Sequence, residues 1–208
     1  MRPCAGNSGH RARGQNRRQS RSCQPFTAPR MLKIVSLTPA DFTRWAEHLN
    51  RQIAESGRCG RPFFSPMEGV DFASTERRAR FEKGLATPLP QPSWMKAWAA
   101  ESPDSRFVAH LDLTGSSIPS EKHRASLGIG VEDSFYRRGL GRRLMQVAIE
   151  FATRNNIEWI DLSVFSDNNA AIGLYRSLGF EEVGRRNDRF RLSGRSVDDL
   201  TMTLRIKD

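Results

Sequence analysis

One segment of the chain has residue types and spacing that suit the binding of an anion. Residues 135–142 read Phe-Tyr-Arg-Arg-Gly-Leu-Gly-Arg and stand immediately before an amphipathic stretch. The first amides of a helix have no partner within the helix and carry a partial positive charge, so such a turn suits a phosphate or pyrophosphate. Glycine at 139 and 141 lets the backbone approach the anion closely. A Gly-x-Gly before a helix is a weak signal alone, because the same residues could begin a helix with solvated arginines.

A second segment, residues 164–180, reads Val-Phe-Ser-Asp-Asn-Asn-Ala-Ala-Ile-Gly-Leu-Tyr-Arg-Ser-Leu-Gly-Phe. Asn168 stands where the N-cap of a short helix is expected. Tyr175 lies on the apolar face of that helix, which Gly179 ends. Taken alone, these features predict a helix cap and a tyrosine of the core.

Together the two segments resemble the GNAT superfamily, the acetyl-CoA-dependent N-acetyltransferases. The first is similar to that family's pyrophosphate loop, Gln/Arg-x-x-Gly-x-Gly/Ala after a strand that ends in Val. The second is similar to its Asn-x-x-Ala-Ile-x-Leu-Tyr-x-x-x-Gly-Phe pattern, and one helix and one strand separate the two, as in the family. The resemblance is strong over 125–192, extends over 31–124 only in the order of elements, and does not cover 1–30.

The resemblance implies acetyl-CoA as cosubstrate and a role for each matching residue. Amides and arginine side chains of the loop would hold the CoA pyrophosphate; these residues are Arg137, Arg138, Gly139, Leu140, Gly141 and Arg142. The backbones of Ile129 and Val131 would pair with the pantetheine arm, and an amide there would stabilise the oxyanion. Asn168 would contact the pantetheine or its phosphate end, and Tyr175 would donate a proton to the departing thiolate.

The sequence departs from the family pattern at two positions. Tyr136 replaces the Gln or Arg at the head of the loop, and Ser163 stands where many relatives carry a Glu that serves as general base. Asp161 and Glu132 could deprotonate the acceptor through water, or be ordinary structural acids. A base is not needed if the amine arrives neutral.

The elements around both segments predict one mixed α/β domain. The resemblance implies the GNAT acyl-CoA N-acyltransferase fold, with a central mixed, mostly antiparallel sheet flanked by helices. The expected elements are a strand at 32–37, a helix from Thr38 to Ile53, a helix over 74–86, a β-hairpin over 94–114, a strand at 125–131, a helix over 142–154, a strand at 157–165 that is buried on both faces, a helix that Asn168 caps, and strands over 180–192 and 197–206.

Two loops, 56–70 and 88–94, would carry the residues that select the acceptor. Phe63, Phe64 and Trp94 could form an apolar wall there or simply pack, and Cys59 could be a reactive thiol or a plain loop cysteine.

The charge of the 208 residues is concentrated at one end. The formal net charge is +10, but residues 1–30 hold seven Arg and no acidic residue, which leaves 26 basic and 23 acidic residues in 31–208. We therefore expect a disordered, Arg-rich extension over 1–30 and an N-acetyltransferase domain over 31–208. Met31, directly before a strand, resembles a natural start. The extension could be a solvated tail, an upstream extension of the reading frame, a transit peptide or a nucleic-acid-binding arm.

Several function classes do not fit. No apolar run reaches the length of a membrane span, so an integral membrane protein is not expected. Three cysteines without a Cys-x-x-Cys make a disulfide scaffold or zinc finger an unlikely interpretation, and the scattered histidines predict no metal site.

The function expected from these features is transfer of an acetyl group from acetyl-CoA to a primary amine by direct attack in a ternary complex. The acceptor could be a small amine, an amino acid or a protein N-terminus. We expect a cytoplasmic monomer or homodimer with no membrane partner, and nucleic acid is not an expected partner. The alternatives are a CoA-binding or regulatory module without turnover, and a nucleic-acid-binding protein that acts through residues 1–30.

Overall fold

The computed structural model describes residues 32–58, 61–67 and 69–206. The extension expected over 1–30 and the loop cysteine Cys59 lie outside the described residues. In the described part of the chain the elements follow in the order β1 (Lys33–Ser36), α1 (Phe42–Glu55), α2 (Thr75–Ala86), β2 (Met95–Glu101), β3 (Phe107–Gly115), β4 (Arg124–Val131), α3 (Leu140–Arg154), β5 (Trp159–Phe165), α4 (Asn169–Ser177), β6 (Glu181–Leu192) and β7 (Arg195–Arg205).

The seven strands form one sheet in the order β1-β2-β3-β4-β5-β7-β6. Every neighbouring pair is antiparallel except β4 and β5, which run parallel. The predicted mixed, mostly antiparallel sheet is thus confirmed, as is the β-hairpin predicted over 94–114.

Helices cover the two faces of the sheet. On one face, here called the α3 face, Leu144 and Ala148 of α3 and Tyr175 of α4 join a core with Leu111 of β3 and Ile160 of β5. On the opposite face, here called the α1 face, α1 packs on β3 and α2 packs on β2. That second core comprises Phe42, Ala46, Leu49, Phe81, Ala97 and Ala99, among others.

The start of α1 follows its local sequence. The amide of Thr38 donates to Asp41 Oδ2 at 2.9 Å, and a short 3-10 turn at Pro39–Asp41 leads into the helix. This reciprocal contact is a capping box, the pattern that the sequence predicts.

One prediction about β5 is wrong. The strand was expected to be buried on both faces because most of its residues are apolar. In the structure Ser163 is exposed, while Ile160, Leu162 and Val164 are buried. Burial therefore alternates, because the α3 face of this strand is covered whereas α1 and α2 pack over β2 and β3 on the other face.

Candidate functional site

The strands β4 and β5 separate after a short paired stretch. Their register covers Arg124, Ala125 and Ser126 of β4, opposite Trp159 to Asp161, and no pair joins these two fully described strands beyond that point. On its other edge β4 stays paired with β3 as far as Val131. The result is a wedge-shaped gap that opens toward the carboxyl ends of β4 and β5.

The register of β4 determines which backbone groups face the gap. In an antiparallel pair, only every second residue hydrogen-bonds to the partner strand. The amide of Glu132 donates to the Val108 carbonyl of the β3 side at 2.9 Å, so Gly130 and Gly128 also bond to β3. The amides of Ile129 and Val131 therefore point into the gap, where an extended chain could pair with them.

The loop after β4 brings further amides to the same opening. Gly139 has φ 75° and is the N-cap of α3, which begins at Leu140, two residues earlier than predicted. The amide of Arg143 donates to the Gly139 carbonyl at 3.1 Å, so the amides of 139–142 are the four that a helix start leaves without an intrahelical partner. Arg137 also has a positive φ, 58°. Backbone of alternating handedness forms a concave nest of N–H groups that suits an anion.

The arginines of this loop have no acidic partner. Arg142 donates to Ser177 Oγ at 2.7 Å, and the guanidinium of Arg138 lies 5.1 Å from the centre of the Phe135 ring. Within the described ranges, no carboxylate lies within ion-pair distance of Arg137, Arg138 or Arg142. All three are exposed, so this end of the gap carries net positive charge.

Gly141 allows α4 to lie against the start of α3. A Cβ at position 141 would be 3.0 Å from Leu174 Cδ2, which is closer than a normal contact. A side chain at this position would require the tip of Leu174 to shift by a few tenths of an ångström, so glycine allows the closest packing of α4 on α3. This packing brings Tyr175, the residue after Leu174, into the core beside α3.

Tyr175 is buried, with 6% of its surface exposed, and its ring lies 5.8 Å from that of Phe180. Burial raises the pKa of its phenol above the ordinary value, because the charged form would lose its solvation. The phenol therefore keeps its proton throughout the neutral range and can donate that proton or a hydrogen bond.

Asn168 performs the structural role that its position predicts. Its side chain accepts a hydrogen bond from the Ala171 amide at 3.2 Å and caps α4. The Nδ2 group of the amide is a separate donor. Capping and a contact with a ligand are therefore compatible.

The residue at the head of the loop, Tyr136, lines a narrow cavity next to Val131. The cavity has a volume of about 10 Å³, close to the space that one water requires. Gln52 of α1 also lines it, and in the described part of the chain its buried Oε1 atom has no hydrogen-bond partner. A polar acceptor next to the gap thus lacks a donor.

The two acids considered as general bases are both held by arginines. Asp161 accepts from Arg124 Nε at 2.8 Å and from the hydroxyl of Thr203, also at 2.8 Å. Glu132 is 3% exposed and accepts from Arg51 Nε at 2.8 Å. Although burial opposes it, hydrogen bonds from His48 and Arg51 hold the pKa of Glu132 below its usual range. Both are structural acids here, so the interpretation as bases is not supported.

The sequence predicts scattered histidines, but the structure brings two of them together. His48 Nδ1 lies 2.9 Å from Glu132 Oε1, and His48 Nε2 lies 3.0 Å from His110 Nδ1. Burial lowers the pKa of both histidines, so both are neutral at pH 7. The sequence could not reveal this cluster because 62 and 84 residues separate its partners. It ties α1 to β3 and β4.

The three aromatic residues considered as a wall lie in different places. Phe63 packs with Phe165, Leu192 and Val197, so the loop after α1 reaches the β6–β7 hairpin. Phe64 lines the narrow cavity near Val131. Trp94 belongs to the core on the α3 face, where it contacts Phe151, and is not part of any acceptor wall.

The described ranges contain neither a candidate membrane span nor a candidate metal cluster. None of the helices there is long and apolar enough to span a membrane. No group of three or more His, Cys, Asp or Glu in those ranges is placed to hold a metal ion.

Comparison with known proteins gives a consistent family. Residues 73–180 match the model of the acetyltransferase (GNAT) family. The N-alpha-acetyltransferase RimI of Mycobacterium tuberculosis is 44% identical over 74 residues, which cover 36% of this chain and 44% of that protein. The L-amino acid N-acetyltransferase AaaT of Escherichia coli is 33% identical over 96 residues, which cover 46% and 59%. The chain thus spans about half the length of these curated relatives.

A solved structure extends the likeness to the fold. The yncA acetyltransferase structure from Salmonella typhimurium, with its cofactor acetyl-CoA, has a TM-score of 0.68 at 19% identity and covers 85% of this chain and 95% of that one. The family expected from the two sequence segments is therefore confirmed. With just over half of its residues matched to the family model, the chain belongs to the acetyltransferase (GNAT) family.

Proposed function

We propose that the protein is an N-acetyltransferase that moves the acetyl group of acetyl-CoA to a primary α-amine. The observation that carries the proposal is the continuity of the gap with the helix start. Two amides of β4, those of Ile129 and Val131, face the gap, and the four unpaired amides of α3 lie at its open end. A ligand with an extended amide arm and a pyrophosphate has the shape and charge that this arrangement fits.

The residues present suit CoA in their chemistry. The amides from Gly139 to Arg142 would hold the pyrophosphate, and Arg137, Arg138 and Arg142 would add charge-assisted hydrogen bonds. Ile129 and Val131 would pair with the pantetheine arm, and Asn168 would donate to it through Nδ2. When bound, acetyl-CoA supplies the activated acetyl group. An amide of β4 would stabilise negative charge that develops on the acetyl oxygen.

Tyr175 would protonate the departing thiolate. A free phenol has a pKa of about 10 and a thiol about 8.5, so the transfer is uphill by roughly 2 kcal/mol. Burial raises the pKa of the phenol further and adds to this cost. We therefore expect Tyr175 to assist departure, mainly as a hydrogen-bond donor, while water can partly replace it.

The proposed acceptor is the chemical class that the two curated relatives share. One is named for N-alpha acetylation and the other for acetylation of L-amino acids, and both act on an α-amine. An α-amine has a pKa of about 7.7–8.0, so a useful fraction of it is neutral near pH 7.5. The sequence left open a small amine, an amino acid or a protein N-terminus as acceptor. Within these classes, this proposal commits to an α-amine. The cytoplasmic location stays a prediction.

The experiment is a turnover assay of the full chain with acetyl-CoA, in which released thiol is measured. The acceptors are a hexapeptide with a free N-terminal alanine and, separately, the twenty L-amino acids. We expect thiol release that depends on at least one of them and a product that is heavier by one acetyl group. A chain that binds acetyl-CoA but acetylates none of these acceptors would support the alternative of a binding or regulatory module.

Tyr175→Phe is the variant that tests the proposed chemistry. We expect kcat to fall by about 10²–10⁴-fold, as is usual for the loss of a general acid, while the Kd of acetyl-CoA stays within about threefold. Phe180→Leu is a matched control, because it changes the ring packed against Tyr175 and leaves the hydroxyl. An unchanged kcat in Tyr175→Phe would make Tyr175 a core residue only.

A further inference from the structure

One carboxylate of the sheet has an environment unlike that of the other acids of the site. Asp112 lies in the middle of β3 on the α1 face, and its strand partner is Gly128 of β4. A Cβ at position 128 would be 3.0 Å from Asp112 Oδ1 and 3.3 Å from Oδ2. The carboxylate therefore lies directly over the backbone of Gly128. It occupies the space that a side chain at position 128 would need.

This carboxylate has no partner. Asp112 is partly buried, and within the described ranges it has no hydrogen bond and no ion pair, whereas Asp161 and Glu132 on the same face are both held by arginines. Even a half-buried acid without a partner costs stability, so the presence of Asp112 requires a reason. Burial raises the pKa of Asp112 to about 7.

The position of Asp112 relates it to the gap. Gly128 precedes Ile129, whose amide points into the gap. Because neighbouring strands lie about 4.8 Å apart, Asp112 on β3 is about one strand spacing from the β4 backbone that borders the gap. A cavity of about 170 Å³ opens at the closed end of the gap, lined by Ser126 and Asp161 on the same face. Asp112 does not itself line this cavity, but its strand partner Gly128 lies two residues beyond Ser126 on the same face. An amine in the cavity would therefore reach the carboxylate through water.

The other acids of the described residues on this face are held by partners. Glu55 at the end of α1 lines the narrow cavity beside Val131, and burial raises its pKa, but it accepts a hydrogen bond from the Asp133 amide at 3.0 Å. His110, two residues earlier on β3, and His48 of α1 are buried and neutral at pH 7. Toward β5, the charge of Asp161 is neutralised by Arg124, and at the end of β4 the charge of Glu132 is neutralised by Arg51 and Arg106. On the β2 side, the partner of Asp112 is Ala97, and α2 presents the apolar residues Phe81 and Gly84 to the sheet.

We propose that Asp112 is the general base that deprotonates the acceptor amine of the proposed acetyl transfer. This inference rests on the proposed function and names a catalytic residue for it. The ammonium form of the acceptor gives one proton to the carboxylate and becomes a neutral amine. The C–N bond then forms with the acetyl carbon, the C–S bond breaks, and the thiolate takes a proton from Tyr175. The second amine proton returns the phenol to its neutral form through solvent, and Asp112 releases its proton to water.

The raised pKa of Asp112 also bears on the kind of amine that it can deprotonate. Proton transfer from an α-ammonium of pKa about 8 to an acid of pKa about 7 is unfavourable by about tenfold, whereas transfer from a lysine ammonium of pKa about 10.4 is unfavourable by more than a thousandfold. Asp112 therefore favours α-amines over lysine side chains as acceptors. This preference agrees with the acceptor class proposed above.

The test compares Asp112→Asn with Asp104→Asn in the full chain. Asp104 is an exposed acid at the turn between β2 and β3, and hydrogen bonding from Ser102 holds its pKa below the usual range. With the alanine hexapeptide or a turned-over amino acid as acceptor, we expect wild-type kcat/KM to rise with pH through about 7. Because roughly a third of an α-amine is neutral at pH 7.5, kcat/KM of Asp112→Asn should fall only about threefold there and by a larger factor at pH 6.5, and its profile should rise near pH 8, with the amine, instead of near pH 7. Asp104→Asn should match the wild type.

A second measurement does not depend on turnover. In the wild type labelled with ¹³C-aspartate, one carboxyl resonance should titrate near pH 7, and it should be missing from Asp112→Asn. Asp112→Asn with unchanged rate and pH profile, or a wild type in which no aspartate titrates above pH 6, would overturn this proposal and leave the proposed function in place. A wild type that acetylates no acceptor would contradict both.

Discussion

Two regions of the molecule are rich in arginine, yet only one of them carries free positive charge. In the β4–α3 loop, Arg137, Arg138 and Arg142 face solvent, and the described residues include no acid that pairs with them. In the β6–β7 hairpin, every arginine of β6 has an acidic partner. The pairs are Arg185 with Asp198, Arg186 and Arg189 with Asp199, and Arg191 with Asp188. The partners of the arginines, rather than their number, distinguish a site that attracts anions from a neutral surface.

The backbone also makes the loop, and not the hairpin, suited to bind an anion. Gly139 and Gly194 both have φ 75°, and a Cβ at either position would meet nothing within 4 Å. Gly139 begins a helix with unpaired amides, whereas Gly194 lies in the turn between two paired strands. The two glycines are therefore matched positions at which the same substitution can test whether the loop binds an anion and the hairpin does not.

The largest effect is expected from an acid placed in the loop. Aspartate tolerates a positive φ better than most residues, so Gly139→Asp should fold. Its carboxylate would repel the pyrophosphate from the amides of α3, and we expect the Kd of acetyl-CoA to rise by about 100-fold or more. Titration calorimetry of the full chain measures it.

Gly194→Asp is the control for this change, because it introduces the same charge at the same backbone conformation. Its Kd for acetyl-CoA should stay within about threefold of the wild type. Equal weakening by both variants would mean that general charge, and not the helix start, holds the ligand.

The next largest effect is expected on stability, in the hairpin. Asp199 is 2% exposed and accepts hydrogen bonds from Arg186 at 2.9 Å and from Ser163 at 3.3 Å. Asp199→Asn removes the charge that two arginines share, and the free energy of unfolding should fall by roughly 1–3 kcal/mol. Denaturant unfolding measures this change.

The exposed pair of Glu150 with Arg154 supplies the comparison for Asp199. Glu150→Gln should cost less than about 0.5 kcal/mol, because exposed pairs contribute little. Neither variant should alter the Kd of acetyl-CoA by more than about threefold. A large loss of affinity in Asp199→Asn would show that the hairpin takes part in binding.

The smallest effect is expected from a single loop arginine. Arg138→Gln keeps a polar side chain but removes its charge, so the Kd of acetyl-CoA should rise by roughly threefold to tenfold and depend less on salt. Arg185→Gln in the hairpin should leave both quantities unchanged. The measurement is the same titration at low and high ionic strength, and equal salt dependence in both variants would contradict the comparison.

Local sequence was sufficient for the elements that fix the site. The turn from Tyr136 to Arg142 and the Asn168–Tyr175 segment are contiguous, and each one follows local rules of capping and periodicity. The order of elements, the sheet type and the family were therefore accessible. The predicted start of α3 at residue 142 is two residues later than the observed start at Leu140, because the sequence pattern includes Gly139 in a longer turn rather than as the N-cap.

Long-range contacts explain what sequence could not provide. Asp161 and Glu132 were considered as bases because their partners Arg124 and Arg51 are 37 and 81 residues away along the chain. Asp112 is the opposite case, because it has no partner in the described residues. An alternating strand pattern gives no sign that an acid will lack one. Sequence left open whether Trp94, at the end of the candidate acceptor loop 88–94, forms part of an acceptor wall or simply packs, and its side chain packs on the α3 face.

The central claim is that the gap between β4 and β5 and the start of α3 together bind acetyl-CoA. The most direct measurement is the thermal unfolding of the full chain with and without acetyl-CoA. At 100 times Kd a ligand adds about 2.7 kcal/mol, which corresponds to a rise in Tm of roughly 5–10 °C for a protein of this size. The account predicts that rise in the wild type and in Gly194→Asp, and its loss in Gly139→Asp. A folded wild type whose Tm does not change at millimolar acetyl-CoA would contradict it.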